Sequence, residues 1–177
     1  MTTPDLHDIR VLNAALREAV DFVHAEGWDR PATLFGLVPH ALVADALPSS
    51  FDEADANPLA LVVQDGIPEH IRPGSEELGE FIATVRWPEP VVGAILTQEI
   101  VFVNSAEGAD ATPRAARLFS GILDEGGDGA ERSLIQLRPT EEELEADPFA
   151  QDKVELLGGD EIAPGVIATL RATFEQD

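Results

Sequence analysis

The sequence predicts an α+β fold in which helices pack against one mostly antiparallel sheet. Three observations carry that reading. Apolar residues recur every three or four positions near both ends, at Ile9, Leu12, Leu16, Val20 and Val23 and again at Val166, Ile167, Leu170 and Phe174. Between them lie several short apolar runs rich in β-branched residues. Strict alternation of strand and helix is absent, so the middle run of strands favours antiparallel pairing.

The first helix is expected from about Leu6 to Glu26. Asp5 and Asp8 suit its positive end, and Gly27 suits a left-handed residue just past its last turn. Trp28-Asp29-Arg30-Pro31 reads as a turn, and Thr33 to Val38 as a short buried strand stopped by Pro39. A short helix is expected over His40 to Leu47, ended by Pro48, with a polar, acidic loop from Ser49 to Asn57. Pro58 to Gln64 reads as a second strand.

Ser75 caps a helix expected to reach about Val85, with Glu76 and Glu77 in its first turn and Leu78, Phe81, Ile82 and Val85 as its apolar stripe. Trp87-Pro88-Glu89-Pro90 breaks it. Val91 to Val103 is the clearest strand, long enough that a bulge or bend near Gln98-Glu99 is expected. From Ala115 to Arg138 a helix begun by Pro113 competes with a hairpin. The turn signal Glu125-Gly126-Gly127-Asp128-Gly129 favours the hairpin, Leu118 to Leu123 paired with Ser133 to Leu137. Thr140-Glu141-Glu142-Glu143 is a capping box for a short helix closed by Asp147-Pro148. A last strand is expected over Val154 to Leu157, and a last helix with Pro164 in its first turn. No internal repeat or linker interrupts the chain, so residues 1–177 read as one domain.

Charge decides which partners are excluded. Lys+Arg is 11 against Asp+Glu 34, a formal net charge of −23. Such a surface repels phosphate backbones and anionic headgroups, which argues against nucleic acid and membrane surfaces. Hydrophobic residues make up 44%, enough for a packed core, so the acidity is not a signature of disorder. Cysteine is absent, which excludes disulfides, cysteine zinc sites and thiol nucleophiles and fits a reducing cytosol. Met1 to Asp8 has no basic start before an apolar run, so no signal peptide is expected. The longest apolar stretch, Val91 to Leu96, is far too short for a membrane span. A cytoplasmic location is the expectation.

Two segments, Glu26 to Pro39 and Val85-Arg86-Trp87-Pro88, together with Leu157-Gly158-Gly159-Asp160 and Ala163-Pro164-Gly165, resemble a family of small, uncharacterised actinobacterial proteins. The similarity spans most of the chain in the same order. It implies a cytoplasmic protein from a GC-rich genome, in keeping with a chain whose only lysine is Lys153. It implies no activity, ligand or catalytic residue.

His7, His24, His40 and His70 show no metal-ligand spacing, and His7 and His24 sit about 25 Å apart along one helix. No metal site is expected. Asp124 to Gly129 resembles part of a calcium loop, but Gly126 and Ile135 stand where two ligating residues belong. Gly158-Gly159-Asp160 lacks the spacing and the lysine of a phosphate cradle and reads as a chain break before the last helix. Ser105 and Ser120 have no nucleophile-elbow context. With 34 acids, no carboxylate pair stands out. No catalytic residue and no cofactor follow.

One constellation remains. Trp28, Arg30, Arg86 and Trp87 sit in two proline-bearing turns at helix ends, and a shared sheet face would bring them together around a pocket or interface. The competing reading, favoured by the area a tryptophan buries, has each ring plugging the core edge. The expected function is therefore a non-enzymatic binding, adaptor or chaperone-like protein. It would engage a basic protein segment and would be able to form a homodimer. The element order is similar to small secretion-chaperone folds, an analogy of fold alone. The alternative is a small-molecule binder or enzyme with its cleft at Trp28, Arg30, Arg86 and Trp87.

Overall fold

A computed structural model describes residues 9–29, 32–39, 59–64, 67, 70–72, 75–87, 91–102, 113–123, 130–149, 156–159 and 164–174. Its elements in chain order are α1 (Ile9–Glu26), β1 (Thr33–Pro39), β2 (Leu59–Gln64), α2 (Glu76–Ala83), β3 (Gly93–Phe102), β4 (Arg114–Leu123), β5 (Glu131–Leu137), α3 (Glu141–Ala146), β6 (Leu156–Gly159) and α4 (Pro164–Ala172). The six strands form one sheet in the order β2-β1-β3-β4-β5-β6, every pair antiparallel. The α+β architecture read from the sequence is the one observed.

Period-two alternation sorts the strand residues onto two faces. On one face, Phe35, Leu37, Leu59, Ile95, Phe119, Leu123 and Leu134 pack against Leu12, Ala15, Leu16, Ala19 and Val20 of α1. On the other, Leu34, Ala94, Leu96 and Ile122 pack against Leu78 and Ile82 of α2 and Ile167 and Leu170 of α4. The molecule is thus three layers, with the sheet in the middle. Because both faces are covered, β1 reads as a continuous apolar run rather than an alternating one.

Small residues set the spacing of the layers. A Cβ on Gly121 would meet Leu12 Cδ1 and Leu16 Cδ2 at 3.1 Å, so the missing side chain lets α1 lie close on the sheet. On the other face, a Cβ on Gly36 would meet the Trp87 ring at 3.0 Å. Gly27 ends α1 at φ +91° and donates to the His24 carbonyl at 3.2 Å, the left-handed stop expected there. Ser75 caps α2 by accepting from the Leu78 amide at 3.1 Å. Thr140 and Glu143 form both halves of the capping box of α3.

Four expectations need correction or fall outside the description. β3 carries no bulge: it pairs with β4 in unbroken register from Gly93↔Leu123 to Phe102↔Arg114. Its length is used differently, because pairing with β1 ends at Thr33↔Thr97 and β3 runs on against β4 alone. Gly158 and Gly159 belong to β6, opposite Leu134 and Ser133, so the chain continues as strand where a break was expected. Backbone pairing needs no side chain, and two glycines offered no apolar signal for it. The hairpin strands are as expected, Ala116↔Leu137 to Ile122↔Glu131, with β4 beginning earlier at Arg114. The short helix at 40–47 and the turn at 124–129 lie outside the described residues.

A net charge of −23 on this fold leaves a surplus of carboxylates that repel one another. Added sodium chloride should therefore raise the melting temperature, most steeply below physiological ionic strength, where screening changes fastest. A melting temperature that falls with salt would show that attractive ion pairs outweigh the repulsion.

Candidate functional site

The two tryptophan turns lie on opposite faces of the sheet. Trp28 follows α1 and covers the α1 face. The Arg117 guanidinium sits 4.0 Å from the centre of its ring, and that of Arg138 sits 5.3 Å away. Trp87 follows α2 and belongs to the other core, 6% exposed. Its ring stacks on Phe174 at 5.9 Å, and its indole N–H donates to Thr173 Oγ1 at 2.7 Å. Arg86 is exposed and turns back to donate to the Ala83 and Val85 carbonyls at 3.0 and 2.8 Å. Arg30 lies outside the described residues. Trp28 and Trp87 therefore do not frame one cleft, because α1 and α2 take opposite faces where a common face was expected.

Around Trp28 the structure builds a polar knot that joins α1 to β4 and β5. Arg117 is 1% exposed, although it stands in a strand of mostly apolar residues. Its Nη2 donates to the Gly27 carbonyl at 2.6 Å and its Nη1 to Gln136 Oε1 at 2.9 Å. The Gln136 amide meets His24 Nδ1 at 3.1 Å. Burial pulls the Arg117 pKa below its ordinary value; Glu99 opposes that shift, Arg138 adds to it, and Glu26 opposes it. Arg138 grips Asp29 with two bonds of 2.9 and 3.1 Å, which lowers the Asp29 pKa and raises its own. That grip helps hold Asp29 at φ 67°, a left-handed conformation in which few non-glycine residues rest. The space left beside Arg117 is about 10 Å³, enough for a single water at most. Each of these bonds links one element to another, so the knot's geometry serves to join elements.

A larger opening lies across the sheet. A cleft of about 250 Å³ lies between α2 and α4. Leu78, Ile82, Leu96 and Val166 supply apolar walls, Gln98 joins Leu96 in the floor, and Ser75 and Thr169 stand at the rim. The cleft is open because Gly79 and Gly165 face it: a Cβ on either would meet nothing within 4 Å. Both hydroxyls are committed locally, Ser75 Oγ to the Arg72 carbonyl at 2.6 Å and Thr169 Oγ1 to the Gly165 carbonyl at 2.9 Å. Gln98 is 5% exposed. None of the described lining residues is acidic, basic or histidine, so they offer shape and apolar surface rather than acid–base chemistry.

The cleft was not read from the sequence, though one signal pointed to it. Gly79 sits inside an amphipathic helix, where glycine costs about 1 kcal/mol relative to alanine and so asks for a reason. In the sequence Gln98 stands out only as the place of the bulge expected in β3. Among the described residues, no group of three or more histidines, aspartates and glutamates is placed to hold a metal. No described helix is long and apolar enough to cross a membrane.

Comparison with known proteins gives one match. No curated protein and no solved structure is found to match the chain. A family model does match, over residues 12–175, from the first turn of α1 to just past α4. By that match, covering nearly all of the 177 residues, the chain belongs to the PPA1309-like protein family.

Proposed function

We propose that this protein is a non-catalytic binding protein, an adaptor or chaperone-like one, whose α2–α4 cleft receives an apolar side chain from a basic protein segment. The observation that carries the reading is the cleft itself: about 250 Å³, walled by Leu78, Ile82, Leu96 and Val166, with no titratable group among its described lining residues. A cavity near 150 Å³ already accepts benzene, so this one has room for any aromatic or aliphatic side chain. The surrounding charge of −23 attracts a segment rich in lysine and arginine and raises its rate of encounter. The bias of the sequence toward arginine and the absence of cysteine support a cytoplasmic, actinobacterial setting. A neutral small molecule in the same cleft is the second reading, supported by the amide of Gln98 beside an otherwise apolar floor.

Gly79→Leu tests both readings. Its Cβ would meet nothing within 4 Å, the rest of its side chain would occupy the cleft, and helix propensity should raise stability by about 1 kcal/mol. Peptide display against the wild type, counter-selected on Gly79→Leu, should enrich segments with one apolar anchor flanked by lysine or arginine. Their binding should weaken with salt and drop by about tenfold or more in the variant. Peptides that bind both proteins equally would remove the cleft from the proposal. Thermal shifts with neutral aromatic amides, present in the wild type and lost in the variant, would favour the small-molecule reading.

A further inference from the structure

The sheet ends at β2 on one side, and among the described residues nothing pairs with its outer edge. An open edge is a row of backbone donors and acceptors that templates another strand. Natural sheets blunt such edges with lysine, other charges, proline or a bulge. β2 has none of these: Leu59-Ala60-Leu61-Val62-Val63-Gln64 is uncharged, and it pairs with β1 without interruption from Pro39↔Leu59 to Leu34↔Gln64. Val62 and Val63 are 41% and 38% exposed, one on each face. Beside Val63, Phe22 of α1 is 43% exposed where it meets Phe35 edge-on at 5.6 Å. Among the described residues the edge is thus apolar on both faces as well as unpaired.

We infer that β2 pairs antiparallel with β2 of a second copy, joining two six-stranded sheets into one of twelve. Antiparallel pairing of identical strands is self-complementary about a two-fold axis normal to the sheet, so it closes as a dimer and does not propagate. With the axis at Val62, residues of the same face come opposite one another: Val62 meets its own counterpart, Leu61 meets Val63, and Ala60 meets Gln64. Every such pair lacks a charge. That neutrality selects the occupant. Two chains of −23 repel over most of their surfaces, and an uncharged strand offers a seam at which they can meet. A basic partner strand would gain no ion pair from the residues of β2.

The two occupants respond oppositely to salt. Screening weakens repulsion between like chains, so self-association should strengthen as salt rises, whereas binding of a basic segment should weaken. The experiment is light scattering after size exclusion from about 2 to 200 µM protein, at low and high salt. The wild type should approach twice the 19.0 kDa of the chain, with high salt favouring the larger species. Val62→Lys should weaken association by about tenfold or more. Val101→Lys, at a 71% exposed position of β3, should leave it intact. Amide exchange over Leu59–Gln64 gives a reading that does not depend on the variant folding: protection should rise with wild-type concentration. A chain that stays at 19.0 kDa throughout, or a dimer that survives Val62→Lys, would overturn the inference. So would edge amides protected equally at the lowest concentration, which would show the edge covered within one chain.

Discussion

Arg117→Ala should be among the most destabilising single substitutions in this protein, costing about 3–5 kcal/mol in a urea titration. The arginine is 1% exposed, and its guanidinium holds the Gly27 carbonyl at 2.6 Å and Gln136 Oε1 at 2.9 Å. Alanine would leave both acceptors without that donor and open a space under the Trp28 ring. Loss of a buried polar partner costs about 1–3 kcal/mol per stranded group, and the emptied volume adds to it. Arg117→Met is the informative companion. Methionine fills much of the space and removes a charge whose burial is unfavourable, as the lowered pKa of Arg117 indicates. Its cost should be clearly smaller than that of alanine. Equal costs would mean that the hydrogen bonds to α1 carry the effect and packing carries little. A loss under about 1 kcal/mol for alanine would mean that the knot does not hold α1 to the sheet at all.

Arg117 also shows where sequence reading stops. Local signals placed most elements: the three-and-four spacing of Leu12, Leu16 and Val20, the Ser75 cap, the Thr140–Glu143 box and the left-handed Gly27 each depend on near neighbours in the chain. What failed depended on distant ones. The bulge expected in β3 rested on its length alone, and that length is taken up by unbroken pairing with β4 after β1 stops at Thr33 opposite Thr97. Gly158 and Gly159 join the sheet through Ser133 and Leu134, a pairing that no feature of glycine announces. The site followed the same division. Trp28 and Trp87 look alike in sequence, each beside arginine and proline, yet α1 and α2 cover opposite faces, so one ring meets Arg117 and the other meets Phe174. Which face a helix takes is set by strand order, and strand order is a long-range property. The cleft is built from what is absent, the side chains of Gly79 and Gly165, and absence carries little pattern.

Gly93→Ala should cost about 3 kcal/mol, at the upper end of what overpacking usually does. The added Cβ would lie 2.4 Å from the Ile122 carbonyl oxygen, with Leu123 Cδ2 at 3.0 Å and Leu37 Cδ1 at 3.1 Å. The nearest atom is backbone of the neighbouring strand and has no rotamer to yield. Gly93 also starts β3, the strand between β1 and β4, pairing with Leu37 on one side and Leu123 on the other. A shift there would disturb the hydrogen bond of 2.7 Å from the Val92 amide to the Leu37 carbonyl and reach both cores. Gly121→Ala makes the comparison: its Cβ would meet Leu12 Cδ1, Leu16 Cδ2 and Ile95 Cγ1 at 3.1 to 3.2 Å, all ends of side chains that can move by tenths of an ångström. Its cost should be about 1 kcal/mol. Gly79→Ala completes the series, meeting nothing within 4 Å and gaining about 1 kcal/mol from helix propensity. The same added methyl is thus expected to be costly, mildly costly and stabilising at three positions, ordered by what it touches. Parallel urea titrations of the three variants check the order, and Gly121→Ala proving costlier than Gly93→Ala would show that the α1 interface, rather than the β1–β3–β4 junction, is the less yielding part of the fold.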